Sequence, residues 1–172
     1  MIKRFNGFLF LIVLFSAVPL TSVAQTDEPI TTFILVRHAE KVDDSADPEL
    51  SPEGKERVAL LTEMLAEVSF DAVYSTPLIR TRETARPIAE ERNLEILDYN
   101  PRNLEQTANR FKEEHPGETI LISGHSNTTP MFANALLGRE HFTGSFDESD
   151  YGNLLIITVT ESGDTKLIHL RF

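Results

Sequence analysis

Short apolar runs alternate with amphipathic segments from residue 33 to residue 137. The first run, residues 33–36, is typical of a strand buried on both faces. Apolar positions at helical spacing follow it, and Ser51-Pro52 is the expected N-cap and first helical position. Ser162-Gly163-Asp164 predicts a terminal hairpin turn. The predicted strands are residues 33–36, 72–74, 94–97, 119–122, 154–160 and 165–170, and the predicted helices begin near residues 52, 78, 103 and 127.

This order of elements indicates the fold class. Strands that alternate with helices form a largely parallel sheet covered on both faces. We therefore predict an α/β protein, a three-layer α/β/α sandwich with a mainly parallel central sheet. With 172 residues, the chain can bury one real core, so we expect a single domain over residues 25–172.

The N-terminal residues have the pattern of an export signal. Lys3 and Arg4 precede an apolar run at residues 8–18, and Ser22-Val23-Ala24 provides small residues for a signal peptidase. We predict a signal peptide over residues 1–24, cleavage after Ala24, and a periplasmic or secreted mature protein without stable membrane insertion. An uncleaved membrane anchor is the alternative, but the apolar run is short for a membrane span.

Charge and composition exclude several classes of function. A formal charge of −11 argues against nucleic acid or an anionic membrane surface as a partner. Because the chain has no cysteine, disulfides, thiolate catalysis and sulfur-bound zinc are excluded. Asp43, Asp44 and Asp47 lack the glycine and final glutamate of an EF-hand loop, so they indicate a solvated acidic loop rather than a calcium site.

Polar residues that suit phosphate chemistry follow three of the predicted strands. Arg37-His38 ends the first strand, Arg80 comes shortly after the second, and His125 follows the fourth. Because ligands of such sheets bind at the carboxyl ends of the strands, these side chains are expected to meet in one cleft. Guanidinium groups bind phosphate oxygens, and imidazoles attack phosphorus or donate protons. The sequence therefore predicts a site for a small phosphorylated substrate.

Four sequence blocks make this prediction more specific through a family resemblance. In their order and spacing, they are similar to the histidine phosphatase superfamily, the phosphoglycerate mutase-like group, over nearly the whole chain after residue 24. The blocks are Arg37-His38-Ala39-Glu40, Leu50-Ser51-Pro52-Glu53-Gly54, Ser75-x-x-x-x-Arg80-Thr81-x-x-Thr84-Ala85, and Gly124-His125.

The resemblance implies a catalytic domain in which His38 accepts the phosphoryl group and water hydrolyses the phosphohistidine. Arg37, Arg80 and His125 would bind the phosphate oxygens, so neither a metal nor a cofactor is expected. For neutral His38 to attack, its other ring nitrogen needs a fixed acceptor such as a backbone carbonyl.

The sequence offers three candidates for the residue that protonates the leaving group. The mutase branch usually places a glutamate followed by glycines between the second arginine and the distal histidine, but this chain has no glycine between Gly54 and Gly117. Candidates are Asp98 at the end of a predicted strand, Glu105 on the next helix, and Glu40 beside His38. We prefer Asp98 for its position.

Other functions are compatible with the same residues. They are a phosphomutase, a protein phosphohistidine phosphatase, and a module that binds a phosphorylated ligand without turnover. The missing glutamate–glycine block and the predicted export disfavour the mutase. His115, His141 and His169 are expected to be structural. Substrate specificity would arise from residues 43–48 and 142–151.

Overall fold

The computed structural model describes residues 28–172, so the predicted signal peptide lies outside the described residues. This part of the chain contains no helix that is long and apolar enough to cross a membrane. The strands are β1 (Ile30–Arg37), β2 (Ala72–Ser75), β3 (Ile96–Asp98), β4 (Thr119–Gly124), β5 (Asn153–Thr160) and β6 (Thr165–Arg171). The helices are α1 (Pro52–Met64), α2 (Ile79–Glu91), α3 (Leu104–Glu114) and α4 (Thr128–Leu137).

The six strands form one sheet in the order β3-β2-β4-β1-β5-β6. Strands β3, β2, β4 and β1 pair in parallel, and β5 and β6 continue the sheet as an antiparallel edge. The predicted hairpin turn joins β5 to β6, with Gly163 at a φ of 93° that favours glycine. The structure confirms the predicted α/β fold with a mainly parallel sheet.

Two hydrophobic cores cover the two faces of the sheet. On one face, Phe111 of α3 and Phe132 of α4 pack against strand residues such as Phe33. On the other face, Leu61 of α1 and Ile88 of α2 pack against the opposite side of the same strands. All five of these side chains are at most 1% exposed, so the three layers enclose a well-formed interior.

The start of α1 is fixed next to the segment that follows β1. The Ser51 hydroxyl accepts a hydrogen bond from the Gly54 N–H at 3.1 Å, which confirms the predicted N-cap. A Cβ at Gly54 would lie 2.2 Å from the Glu40 carbonyl oxygen. This position therefore requires glycine, because the helix backbone packs directly against residues just after His38.

Several element boundaries differ from the prediction by a few residues. Strand β3 covers Ile96–Asp98 rather than residues 94–97, and α1 ends at Met64. The Arg92 guanidinium donates to the carbonyls of Leu65, Ala66 and Val68 at 2.6, 3.1 and 3.0 Å. This tertiary contact satisfies carbonyls after the helix, and helical periodicity alone does not reveal it.

Candidate active site

The carboxyl ends of three neighbouring strands bring the predicted residues together. In the sheet register, Arg37 of β1 lies beside Gly124 of β4, and the His38 N–H donates to the Gly124 carbonyl at 2.9 Å. As a result, the rings of His38 and His125 lie 5.5 Å apart between centroids. Both histidines and Arg80 line one cavity of about 580 Å³, which we call the His38 cavity.

The His38 ring is held in one tautomer. Its Nδ1 lies 2.8 Å from the Ala39 carbonyl oxygen, and because a carbonyl only accepts, Nδ1 carries the proton. Burial lowers the pKa of His38 to about 3. The charges of Arg37 and Arg80 act in the same direction, and the hydrogen bond to Ala39 opposes the shift. The ring is therefore neutral near pH 7, and Nε2 keeps a free lone pair.

His125 is also neutral and is oriented by buried hydroxyl groups. Burial is the main reason that the pKa of His125 falls to about 4, with help from the charge of Arg80. Its Nε2 lies 2.9 Å from the Thr76 hydroxyl, which in turn lies 2.9 Å from the Thr81 hydroxyl. Thr76 and Thr81 are at most 1% exposed. This hydroxyl pair fixes the ring and leaves Nδ1 without a partner among residues 28–172.

Arg37 is more deeply buried than a residue that only binds phosphate would need to be. Its Nη1 donates to the carbonyls of Asp147, Glu148 and Asp150 at 2.9, 3.1 and 3.1 Å, and its guanidinium stacks 4.1 Å from the centre of the Tyr151 ring. The residue is 1% exposed. Arg37 therefore organises residues 147–151, while its buried Nε has no acceptor among residues 28–172.

Glu148 is the carboxylate that the structure brings to the His38 cavity. One carboxylate oxygen lies 2.5 Å from the Ser126 hydroxyl, and the other lies 2.7 Å from Arg37 Nη2. The Ser126 hydrogen bond holds the pKa of Glu148 below its usual range; desolvation opposes this shift, and the charge of Arg37 assists it. Glu148 is thus ionised when no substrate is bound.

The three carboxylates suggested by the sequence lie elsewhere. Asp98 is ion-paired with Arg82 and lines a neighbouring cavity, although that cavity also reaches His125. Glu40 pairs with Arg57 at 2.6 Å. Glu105 lines surface cavities on α3 that do not include His38. None of the three lines the His38 cavity.

The sequence did not identify Thr76, and it included Glu148 only within residues 142–151, the segment expected to contribute to substrate specificity. Thr76 precedes a proline and carries no motif of its own, and its contact with His125 is set by strand pairing. Glu148 lies between α4 and β5, in a long connection without regular structure. The length of this connection is a sequence signal that could have pointed to Glu148, because long irregular connections in compact domains are often functional.

The acidic loop contacts the site through Asp47 and through the Ala46 carbonyl, which accepts a hydrogen bond from Arg80 Nη1 at 3.4 Å. Asp47 accepts a hydrogen bond from the Ile79 N–H at 2.8 Å and lies 3.7 Å from Arg80 Nη1. Asp44 pairs with Lys41 at 2.7 Å. Among residues 28–172, no group of three histidine or carboxylate side chains is arranged to hold a metal ion. In the described chain, the loop therefore supports the start of α2, where Arg80 lies.

The comparisons with known proteins agree with these motifs and this fold. Residues 33–100 match the family model for the histidine phosphatase superfamily (branch 1). Over 71 residues, the chain is 44% identical to phosphoserine phosphatase 1 of Hydrogenobacter thermophilus. That alignment covers 37% of this chain and only 34% of the relative, so the likeness concerns about a third of that protein.

Solved structures share the fold at low sequence identity. YhfR of Bacillus stearothermophilus has a TM-score of 0.66 at 18% identity, covering 80% of this chain and 95% of that one. Alpha-ribazole phosphatase of Shigella flexneri has a TM-score of 0.64 at 20% identity, covering 82% and 96%. Phosphoserine phosphatase of Entamoeba histolytica, in complex with phosphoserine, has a TM-score of 0.63 at 17% identity, covering 80% and 94%. The matched segment resembles the histidine phosphatase superfamily over residues 33–100, and the solved structures show that the chain has the same fold.

Proposed function

We propose that this chain is a phosphatase that hydrolyses small phosphomonoesters through a phosphohistidine on Nε2 of His38. The observation that carries the proposal is the state of the His38 ring. The Ala39 carbonyl accepts a hydrogen bond from the Nδ1–H group, and the lowered pKa keeps the ring neutral, so Nε2 can act as a nucleophile at pH 7.

The positive charge and the hydrogen-bonding groups around His38 support phosphate binding. Arg80 and the ring of His125 line the cavity beside His38, and the buried Arg37 Nε is a donor that lacks an acceptor in the described chain. Donors arranged in advance around the transferring group stabilise the charge of the transition state. In a chain with a formal charge of −11, this local positive charge would attract the anion.

We assign the proton to Glu148 rather than to Asp98. Glu148 lines the same cavity as His38, whereas Asp98 is held by Arg82. Glu148 is ionised at rest, but a phosphate dianion beside it raises its pKa by like-charge repulsion. Substrate binding therefore prepares the group to carry the proton that the leaving oxygen needs.

The reaction then proceeds in two balanced steps. His38 Nε2 forms a bond to phosphorus, the bond from phosphorus to the leaving oxygen breaks, and Glu148 transfers its proton to that oxygen. Water next attacks phosphorus and gives a proton to Glu148, while the nitrogen–phosphorus bond breaks and releases phosphate. The same carboxyl group serves as acid and then as base.

The names of the relatives support phosphatase activity without deciding the substrate. The H. thermophilus relative is a phosphoserine phosphatase, and the S. flexneri structure is an alpha-ribazole phosphatase. Since these substrates differ and the first alignment is partial, we carry over only the reaction class.

Thr76 provides a mutational test of how His125 is positioned. Thr76→Val keeps the shape of the side chain but removes the hydrogen bond to His125 Nε2, and loss of one such bond should lower kcat about fivefold to tenfold. Thr76→Ser should restore most of the activity. Steady-state kinetics with p-nitrophenyl phosphate would measure this. Equal kcat for the valine variant and the parent would show that the bond does not matter.

A phosphoester panel with the mature protein tests the function itself. We expect hydrolysis of p-nitrophenyl phosphate in the presence of a chelator, because side chains supply the positive charge. Loss of activity on chelation would contradict this metal-free site. Absence of hydrolysis across a broad panel, together with phosphate binding, would favour the binding module instead.

We also propose that the protein is exported. The basis is the N-terminal pattern of Lys3, Arg4, the apolar run at residues 8–18 and the small residues before Gln25. N-terminal sequencing of the protein recovered from its native cells should begin at Gln25. A mature protein that retains residues 1–24 would contradict signal cleavage.

A further inference from the structure

The backbone that carries His38 is held by hydrogen bonds on both sides of the side chain. The His38 N–H donates to the Gly124 carbonyl at 2.9 Å, and the N–H of the next residue, Ala39, donates to the Thr84 hydroxyl at 3.0 Å. The Ala39 carbonyl in turn accepts the hydrogen bond from Nδ1 of His38. The Thr84 hydroxyl therefore holds the residue on which the tautomer of the His38 ring depends.

Both hydrogen bonds of the Thr84 hydroxyl have a defined direction. The hydroxyl accepts from the Ala39 N–H and donates to the Arg80 carbonyl at 2.8 Å, because an N–H group only donates and a carbonyl only accepts. Thr84 and Ala39 are each 1% exposed, so bulk water does not compete for these groups. One buried hydroxyl thus links the residue after His38 to the first turn of α2, where Arg80 lies.

The Ala39 N–H has no other acceptor in the described chain. A buried N–H without an acceptor is unfavourable, so loss of the Thr84 hydroxyl would turn this peptide towards another partner. The Ala39 carbonyl would then leave Nδ1 of His38, and the ring proton would be shared between the two nitrogens. With the proton on Nε2, that atom has no free lone pair and cannot attack phosphorus.

We propose that Thr84 is a positioning residue that keeps His38 in the tautomer with a free lone pair on Nε2. Thr84 acts through the Ala39 peptide and not through the phosphate. It belongs to the sequence block that also contains Arg80. The kinetic consequence of the proposal rests on the proposed phosphatase function, whereas the tautomer can be measured in the free protein.

Thr84→Val tests this role, because valine has a similar shape but no hydroxyl. We expect kcat for p-nitrophenyl phosphate to fall about tenfold, and the affinity for inorganic phosphate to stay within about twofold of the parent. Nitrogen-15 NMR of the free protein at pH 7, assigned by comparison with His38→Ala, should show the proton on Nδ1 in the parent and on both ring nitrogens in the variant. Thr84→Ser keeps the hydroxyl and should restore the parent's kcat and tautomer.

Thr62 provides the matched control. Its buried hydroxyl also donates to the carbonyl four residues earlier, that of Val58, at 2.8 Å, but it makes no hydrogen bond to Ala39. Thr62→Val should therefore have the parent's kcat and the parent's His38 tautomer.

The two measurements separate a positioning role from a general effect on the fold. A folded Thr84→Val variant with the parent's tautomer would overturn the proposal, whether or not its kcat were lower. Equal changes in Thr62→Val would also overturn it. Thr84→Ala removes the same hydroxyl and replaces the valine variant in both measurements if valine prevents folding. Absence of hydrolysis by the parent would instead contradict the phosphatase function, and the tautomer would still decide the role of Thr84.

Discussion

His38→Ala should lower kcat/KM for p-nitrophenyl phosphate by at least about a thousandfold, because the variant loses the atom that bonds to phosphorus. No other side chain in the described site can replace it. His125 is the nearest imidazole, but Thr76 fixes its ring with the centroid 5.5 Å from that of His38, so its Nδ1, unpartnered in the described chain, does not take the position of His38 Nε2. The remaining cationic groups would bind phosphate without transferring it. Stopped and continuous assays of p-nitrophenol release would measure the loss.

An exposed histidine outside the cavity provides the control for this variant. His141 is exposed and does not line the His38 cavity, so His141→Ala should retain the parent's activity. Phosphate binding by His38→Ala, measured by calorimetry, should persist if the fold is intact. Substantial hydrolysis by a correctly folded His38→Ala variant would remove His38 as the nucleophile.

Glu148→Gln should have the second largest effect, and its size should depend on the leaving group. An alkyl phosphate needs a proton on its leaving oxygen, so kcat should fall about a hundredfold. p-Nitrophenolate leaves without help, so phosphoryl transfer from p-nitrophenyl phosphate should be nearly unchanged. Glutamine can preserve the contacts with Ser126 and Arg37, which makes it a conservative replacement. Single-turnover rates with the two substrates would separate transfer from the later hydrolysis.

Asp98→Asn is the matched control, because Asp98 is the carboxylate that the sequence favoured. It breaks the surface ion pair with Arg82 and should change both rates by less than about fivefold. The reverse pattern, with a leaving-group-dependent loss in Asp98→Asn and none in Glu148→Gln, would return the proton donor to Asp98.

Local patterns in the sequence were sufficient to predict the elements that position the site. The buried run at residues 33–36, the Ser51-Pro52 helix start and the hairpin turn at Gly163 all lie where expected. These features depend on neighbouring residues and on burial, which short sequence windows contain. The meeting of His38, Arg80 and His125 also followed from one rule, that parallel strands end at the same edge.

The remaining parts of the site depend on contacts between distant segments. Arg37 donates to carbonyls more than a hundred residues away, and Glu148 reaches Ser126 from an irregular connection. Thr76 meets His125 because β2 and β4 are neighbours in the sheet. No periodicity or short motif encodes these three contacts, so the proposed proton donor and the hydroxyl that contacts His125 could be placed at the site only from the folded chain.

Direct detection of the phosphorylated enzyme is the most decisive measurement. The mature protein would be mixed with excess p-nitrophenyl phosphate, quenched rapidly in alkali to preserve a nitrogen–phosphorus bond, and digested for peptide mass spectrometry. The proposed mechanism predicts a phosphoryl group on the peptide that contains His38, absent from the His38→Ala variant. A phosphoryl group on another side chain, or active protein that never carries one on His38, would contradict it.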